Sequence, residues 1–270
     1  MTYELAIIGA GNMAEAIVRG VTSQGVLRPD QIIAADVVPQ RRALFEEQLK
    51  VRSVADNVEA ARQAKTILLS VKPQQMPVAL SGIGAVIAPD TLVISIAAGI
   101  GTTYIERHLG ARAQWRVVRS MPNTPMMMGE GMVALSRGAY ATEQDIASAQ
   151  KLFQAAADVI EVPEDKMNAV TAVSGSGPAY FFFLIEQMIK AGIDLGLSPD
   201  HARKLATKTA LGAAKMAAES TEFPDSLRRK VTSPGGTTQA AIMHMESHNW
   251  PKITVAAIKA AEQRGKELGQ

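Results

Sequence analysis

The chain has 270 residues, which at about 150 residues per domain corresponds to one large or two ordinary domains. Hydrophobic residues make up 47% and charged residues 20%, a composition typical of globular proteins and not of disordered chains. The 28 basic residues nearly balance the 26 acidic ones, and a net charge of +2 does not favour nonspecific binding to nucleic acid. The absence of cysteine excludes disulfides and thiolate chemistry and suits a reducing compartment.

The opening segment predicts a cytoplasmic protein. Residues 1–9 lack the basic stretch of a signal peptide, and their apolar run is too short to span a membrane. We therefore expect neither secretion nor membrane insertion.

Short apolar runs alternate with helical patterns in the first part of the chain. Strands are predicted at residues 5–8, 32–35, 66–71, 92–96 and 115–118, and helices at residues 12–24 and 39–49. Parallel neighbouring strands need crossover helices, so this repetition predicts an α/β fold with a Rossmann-like, doubly wound sheet. In such sheets ligands bind at the carboxyl ends of the strands.

The pattern changes near Pro163, beyond which no segment has a convincing strand pattern. An apolar helix is predicted at residues 179–195, and an alanine-rich helix follows a Ser198 cap with Pro199 in its first turn. A helical module this apolar would be poorly covered within one copy, which predicts a homodimer interface. The predicted domains are a dinucleotide-binding domain at residues 1–162 and an all-helical dimerisation and substrate-binding domain at residues 163–270.

A glycine-rich turn follows the first predicted strand. The run Gly9-Ala10-Gly11-Asn12-Met13-Ala14 has the pattern G-x-G-x-x-A between a strand and a helix. Gly9 permits the tight turn, Gly11 lets a pyrophosphate approach the backbone, and Ala14 keeps helix and strand close. The helix N-terminus adds unsatisfied N–H groups and positive potential. This context favours a dinucleotide site over a plain glycine turn.

The end of the second predicted strand bears on which dinucleotide is bound. Asp36 lies about 20 residues beyond the glycine turn, where a carboxylate can hydrogen-bond the adenosine ribose and repel a 2′-phosphate. This favours NADH. Arg41 and Arg42 follow closely and could instead reach such a phosphate, or be exposed helix charges, so NADPH stays open.

Three further segments lie at predicted strand ends or loops, at residues 71–73, 119–125 and 174–180. Each is rich in Gly, Pro, Ser or Asn, which occur equally in plain turns, so only their position along the sheet favours a site. Lys72 resembles a Schiff-base lysine by type alone, and a lysine at a strand end usually faces solvent.

A second glycine-rich segment precedes the predicted helix at residues 238–247. Its consecutive glycines, Gly235 and Gly236, can turn backbone N–H groups toward one anion, and Ser233, Thr237 and Thr238 add hydroxyl donors. Capture of a carboxylate and an ordinary capped helix start are both compatible with this pattern.

Other chemistry is not supported. His244 and His248 flank Glu246 without the spacing of a zinc motif, so they predict a solvated helix face and no metal site. None of the four histidines adjoins a glycine elbow that would expose a nucleophile. Met126, Met127 and Met128 predict an apolar patch in a core or cleft.

The motifs at residues 9–14, 71–73, 121–125, 174–180 and 233–238 occur in the order and spacing of pyrroline-5-carboxylate reductases, which the whole chain resembles. The resemblance implies NAD(P)H-dependent reduction of 1-pyrroline-5-carboxylate to L-proline, the last step of proline biosynthesis. Two alternatives stay open: a non-catalytic dinucleotide-binding dimer, and a related dehydrogenase of small hydroxy or keto acids. The latter would need a Lys or His acid/base that is not evident.

The resemblance also implies roles for particular residues. The pyrophosphate would lie on residues 9–14, the adenosine ribose near Asn57, and the substrate carboxylate on the later glycine-rich segment, with the Thr238 hydroxyl at the ring nitrogen. Family members form an interlaced helical homodimer, often assembled into a decamer of five dimers, in which the partner contributes to each active site. Asp36 departs from members with a hydroxyl or basic residue there. The predicted cofactor residues, which include Asp36 from its position after the second strand, are Gly9, Ala10, Gly11, Asn12, Met13, Ala14, Asp36, Asn57, Val71, Lys72, Pro73, Met121, Pro122 and Asn123, and the predicted substrate residues are Val231, Ser233, Gly235, Gly236, Thr237 and Thr238.

Overall fold

The structure is a computed structural model that describes residues 3–269. The chain folds as two compact units, one formed by the residues up to Ser176 together with those from Ala261 onward, the other by Gly177–Ala260. The domain limits at residues 1–162 and 163–270 stay a prediction. Among the described helices, none has both the length and the apolar character needed to cross a membrane.

A single sheet forms the centre of the first unit. Over residues 3–269 its eight strands are β1 (Tyr3–Ile8), β2 (Ile32–Ala35), β3 (Arg52–Val54), β4 (Ala64–Leu69), β5 (Leu92–Ser95), β6 (Arg116–Pro122), β7 (Gly131–Arg137) and β8 (Ala157–Glu161). They lie in the order β3-β2-β1-β4-β5-β6-β7-β8 and pair in parallel, except that β6 and β7 are antiparallel. Because β2 and β4 flank β1, the winding reverses there, which places a ligand crevice at the carboxyl ends of these strands.

Helices cover both faces of this sheet. Alternate residues of β1 enter different hydrophobic clusters, Leu5 and Ile7 in one and Ala6 and Ile8 in the other. Burial on both faces explains why the strand is continuously apolar. The helices of the first unit are α1 (Asn12–Ser23), α2 (Pro39–Glu47), α3 (Asn57–Ala61), α4 (Met76–Leu80), α5 (Ile83–Val86), α6 (Thr102–Leu109), α7 (Glu143–Phe153) and α8 (Met167–Val170), followed by a π-helical turn at Thr171–Gly175.

The five predicted strands are confirmed, with corrected ends. Val71 and Ile96 lie beyond the strands assigned to them, and Trp115 precedes β6, where its buried indole N–H donates to the Gly110 carbonyl at 2.5 Å. The sheet is not wholly parallel, because β7 returns antiparallel to β6. The predicted strands omitted β3, β7 and β8. Two of these are short and half exposed, so they lack a continuous apolar run.

The second unit is helical, as predicted. Its helices are α9 (Gly177–Asp194), α10 (Pro199–Glu219), α11 (Pro224–Lys230), α12 (Thr237–Ser247) and α13 (Trp250–Leu268), whose last residues belong to the first unit. Between residues 163 and 269 the structure has no strand. The predicted cap of α10 is confirmed, because the Ser198 side chain accepts from the His201 N–H at 3.3 Å.

The second unit leaves much of its apolar surface uncovered. On α9, the exposed fractions of Phe181, Phe182 and Phe183 are 63%, 66% and 60%. Leu205 and Leu211 of α10 are also exposed. Apolar surface of this extent on consecutive helices marks a protein interface, in agreement with the predicted dimerisation role.

Candidate nucleotide and carboxylate sites

The turn after β1 needs glycine at one position and leaves space at another. Gly9 has φ +96°, and a Cβ there would lie 2.7 Å from the Ser70 carbonyl oxygen and 2.8 Å from Val71 Cγ1. Gly11 has φ −74°, and no described atom lies within 4 Å of a Cβ built on it. Gly9 therefore serves the fold, whereas Gly11 keeps the surface of the turn open.

The start of α1 fits an anion. Gly11 is its N-cap, and within the described residues no side chain caps it. The first amides of a helix have no intrahelical acceptor, and the helix dipole makes this end positive. Since the space over Gly11 is also open, a pyrophosphate can approach these amides.

Asp36 joins β2 to the glycine-rich turn. Its Oδ2 accepts from the Ala10 N–H at 2.7 Å, and its Oδ1 accepts from the Val38 N–H at 2.8 Å. Each carboxylate oxygen retains a further lone pair. The residue that the sequence predicted at the ribose therefore also braces the glycine-rich turn.

Arg41 and Arg42 are held by the same region. Arg41 donates to the Ala10 carbonyl at 2.5 Å and pairs with Glu15 at 3.0 Å, while Arg42 donates to the Asp36 carbonyl at 2.7 Å. Burial raises the pKa of Glu15, but Arg19 and Arg41 outweigh it and hold that pKa below its ordinary value. Arg41 and Arg42 are therefore partly buried and hydrogen-bonded, and are not the exposed helix charges that were one of the two sequence-based interpretations.

The remaining predicted cofactor residues follow other strands of the sheet. Asn57 begins α3 just after β3, and Lys72 and Pro73 follow β4, with the Lys72 side chain exposed. Asp36, just after β2, is hydrogen-bonded to the end of β3. Its N–H donates to the Val54 carbonyl at 3.1 Å. Together with Met121 and Pro122 at the end of β6, the predicted residues lie along the carboxyl edge of the parallel strands.

Asn123 connects two motifs that are distant in sequence. Its Oδ1 accepts from the Met132 N–H at 2.9 Å. Its Nδ2 donates to the Ser174 carbonyl and to Ser174 Oγ, both at 3.3 Å. Hydrogen bonds from Asn123 thus join the segment after β6 to the Ser174-Gly175-Ser176 motif.

Sequence analysis missed a buried polar cluster beside this segment. Arg119 is only 5% exposed, lies 3.8 Å from Glu164 and donates to Asn168 Oδ1 at 3.3 Å. Glu164 also accepts from both the N–H and the hydroxyl of Thr102 at 2.7 Å. Burial lowers the pKa of Arg119, opposed by Glu164, and burial raises the pKa of Glu106. An arginine directly after Val117 and Val118, at the end of the predicted strand 115–118, was the available signal.

In the second unit, the predicted carboxylate site lies at the start of α12. Gly235 has φ +71° and its N–H donates to Gln239 Oε1 at 2.6 Å, a contact that sequence analysis did not anticipate. The Gly236 N–H donates to the Ser233 carbonyl at 3.0 Å. Gly236 is the N-cap, and the described chain provides no capping side chain, so the first amides of α12 are available to an anion. Around this helix start lie Val231, Ser233, Gly235, Gly236, Thr237 and Thr238.

The other sequence candidates have ordinary surroundings. His244 on α12 and His248 at its C-cap are both exposed, with ring centroids 4.2 Å apart. Residues 3–269 contain no group of three His, Asp or Glu side chains placed to hold a metal ion. Met126 belongs to the core, as expected, whereas Met127 and Met128 are exposed.

A Rossmann-type sheet with an uncapped helix after its glycine-rich turn, followed by a helical unit with exposed apolar faces, defines a dinucleotide-dependent oxidoreductase with a dimerisation domain. Residues 4–99 match the family described as NADP oxidoreductase, coenzyme F420-dependent, and residues 164–268 match the one described as pyrroline-5-carboxylate reductase dimerisation. The chain belongs to the pyrroline-5-carboxylate reductase family.

Similar proteins match over the whole length. A pyrroline-5-carboxylate reductase of Pseudomonas aeruginosa is 41% identical over 270 residues, which cover 100% of this chain and 98% of the relative. The solved pyrroline-5-carboxylate reductase of Coxiella burnetii has a TM-score of 0.90 at 36% identity and full coverage of both chains. The Plasmodium falciparum pyrroline carboxylate reductase, solved with NADP bound, has a TM-score of 0.89 at 26% identity and covers 99% and 98% of the two chains.

Proposed function

We propose that this chain reduces 1-pyrroline-5-carboxylate to L-proline with a reduced nicotinamide dinucleotide, the final step of proline biosynthesis. The observation that carries the proposal is the start of α12. Gly235 has φ +71°, and Gly236 is an N-cap without a capping side chain among the described residues, so the first amides of the helix are free of a side-chain acceptor there. The hydroxyl groups of Thr237 and Thr238 lie in the same turn. This arrangement suits a small carboxylate next to a hydrogen-bonding hydroxyl. Membership of the family over the whole chain supports it.

In this reaction the start of α12 has to position the substrate and hydrogen-bond its carboxylate and its ring nitrogen. The cofactor supplies a hydride to the imine carbon. The amides after Gly236 and the hydroxyls of Ser233 and Thr237 hold the substrate carboxylate, and the Thr238 hydroxyl orients the ring nitrogen. A substrate that enters as the iminium already carries the proton that its nitrogen needs. A threonine hydroxyl is therefore sufficient, although it is a weak acid.

The first unit holds the dinucleotide in this proposal. The amides at the start of α1 bind the pyrophosphate, and the backbone at Gly11 leaves the room that it requires. The adenosine ribose lies near Asp36 and Asn57. Val71, Lys72 and Pro73 would hold the nicotinamide ribose on one side, and Met121 and Pro122 would hold it on the other.

The test is turnover with the purified full chain. NADH or NADPH should be consumed when 1-pyrroline-5-carboxylate is added, and proline should appear in equal amount. Nucleotide binding without turnover with either cofactor would contradict the proposal and leave a binding protein. Turnover only with a small keto acid would assign the chain to a different dehydrogenase.

Asp36 provides a test of cofactor preference. We propose that it favours NADH, because its carboxylate lies beside the glycine turn where it can accept from the ribose and repel a 2′-phosphate. Asp36→Asn should raise the NADPH/NADH ratio of kcat/KM by about ten-fold, the size of one charge-assisted hydrogen bond. Asp30→Asn removes an equal charge from an exposed turn and is the matched control. An unchanged ratio in Asp36→Asn would mean that the ribose is recognised elsewhere.

We also propose a homodimer through the helical unit, with a decamer of five dimers as the larger assembly. The exposed phenylalanines of α9 support the dimer, since their burial would each contribute about 2 kcal/mol. Sedimentation equilibrium should give a mass of ten chains. A mass of two chains would exclude the decamer, and a single chain at micromolar concentration would exclude both.

The proposed location is the cytoplasm, where the nicotinamide cofactors and soluble biosynthetic intermediates occur together. Cell fractionation tests it, and recovery in a secreted or organellar fraction would contradict it.

A further inference from the structure

We propose that Asn123 is a positioning residue, which acts by holding the π-helical turn Thr171–Gly175 against the end of β6 and not by binding the nucleotide. The inference rests on the proposed function for its effect on the reaction. It reassigns a residue that the sequence motifs place beside the nicotinamide ribose.

One face of β6 supports the segment that leads to the second unit. Side chains two residues apart on an extended chain point the same way, so Arg119, Met121 and Asn123 share a face. Arg119 contacts Glu164 and Asn168, the Met121 side chain lies against Gly175, and Asn123 contacts Ser174. The residues contacted by this face extend from Glu164, in the turn before α8, to Ser174 and Gly175 at the end of the π-helical turn. Asn123 makes the side-chain hydrogen bonds of this set that reach the π-helical turn.

The carboxamide of Asn123 is oriented by protein groups on both sides. Its oxygen faces the Met132 N–H at 2.9 Å, so its nitrogen must face Ser174, where both the carbonyl and Oγ accept at 3.3 Å. These contacts engage the amide nitrogen on the side of Ser174 and one acceptor position of the amide oxygen. A side chain committed in this way is poorly placed to donate to a nucleotide as well.

The turn that Asn123 holds is of a rare type. The Ser176 N–H donates to the Thr171 carbonyl at 2.8 Å, the i to i+5 bond of a π-helical turn. π-helical turns are rare and are frequent at functional sites, and they contain one residue more than an α-helical turn. Relaxation to α-helical geometry would rotate the following residues by about 100°, the angle per residue of an α-helix.

Rotation at this point would act on α9, which begins at Gly177 directly after the turn. Ser174 and Gly175 are held through Asn123 and Met121, so the end of β6 stabilises the π-helical form. Gly175 allows this approach, since a Cβ there would meet the Met121 methyl group. Loss of the Asn123 contact should thus impair the use of the imino acid while leaving the glycine-rich turn and the nucleotide unaffected.

The test variant is Asn123→Asp in the full chain. It preserves the side-chain shape and the acceptor for Met132, but it replaces the donor to Ser174 with a carboxylate oxygen that repels the Ser174 carbonyl. We expect kcat/KM for 1-pyrroline-5-carboxylate to fall about 30-fold, while the dissociation constants of NADH and NADPH change by less than about three-fold. Ser174→Ala removes only the Oγ acceptor and should lower kcat/KM by about three-fold.

A second measurement reports on the turn itself. Amide hydrogen exchange over residues 171–176 should quicken at least about ten-fold in Asn123→Asp, with the exchange of residues 12–23 unchanged. This readout does not depend on activity. If the wild-type chain has no turnover, the proposed function fails, and the exchange result still decides the role of Asn123.

Three results would overturn the inference. Nucleotide affinity that falls as much as kcat/KM would identify Asn123 as a cofactor contact. A kcat/KM for the imino acid within two-fold of the wild-type value would remove it from the reaction. Unchanged exchange over residues 171–176 would show that the π-helical turn is maintained without it.

Discussion

Replacing Gly9 with alanine should destabilise the first unit by about 3–5 kcal/mol and abolish nucleotide binding under conditions where the wild-type chain is folded. The backbone at this position has φ +96°, which an L-residue adopts only at a cost. The added Cβ would also lie 2.7 Å from the Ser70 carbonyl oxygen. Because the obstacle is backbone at the end of the adjacent strand, a rotamer change cannot relieve it. Urea unfolding and nucleotide titration measure the two effects.

Gly11→Ala is the matched control, at a glycine two positions further along the same motif. Its φ of −74° suits alanine and the described chain leaves the Cβ position free, so the free energy of unfolding should change by less than about 0.5 kcal/mol. The Cβ would occupy the space through which the pyrophosphate approaches α1. Nucleotide affinity should therefore fall by at least about ten-fold in a stable protein. Equal destabilisation by both substitutions would contradict this division of roles.

Thr238→Ala should lower kcat by about 100-fold and leave the dissociation constant of the nucleotide unchanged. The half-buried threonine is the second residue of α12 and is separated from the two glycines by Thr237. In the proposed reaction its hydroxyl contacts the nitrogen whose charge changes as hydride arrives, so it stabilises the transition state more than the bound substrate. Steady-state kinetics with saturating NADH measures kcat.

Two neighbouring substitutions make this result specific. Thr238→Ser retains the hydroxyl and should keep kcat within about five-fold of the wild-type value. Thr237→Ala removes a proposed carboxylate donor and should raise KM for the imino acid more than it lowers kcat. An unchanged kcat in Thr238→Ala would exclude the residue from the mechanism. If kcat fell as far in Thr238→Ser as in Thr238→Ala, the hydroxyl would not be the relevant group.

The local signals in the sequence predicted the nucleotide half well. Residues 5–8 are continuously apolar because both faces of β1 are covered, and the glycine-rich turn follows at once. The cap at Ser198 and the apolar α9 were equally readable from neighbouring residues. Such features depend on contacts within one or two turns of chain, which side-chain spacing records directly.

Features that depend on distant partners were less predictable. The edge strand β8 has a half-exposed pattern, and the direction of β7 depends on how the chain returns to β6. Arg119 was visible in its motif, but its burial beside Glu164 was not. The roles assigned to the predicted nucleotide and substrate residues stay predictions, which the substitutions at Asp36, Gly11 and Thr238 address.

By itself the sequence determined the fold class, the glycine-rich turn and the family, because these follow from residue types at short spacing. Only the tertiary structure decided which polar groups meet. The Asp36 carboxylate reaches Ala10 across 26 residues, and the Asn123 amide reaches Ser174 across 51. The physical reason is that the residue type of an Asp or Asn shows which hydrogen bonds it can make but not with which residue. The partner depends on how the strands and helices pack, because this packing brings residues that are distant in sequence within hydrogen-bonding distance.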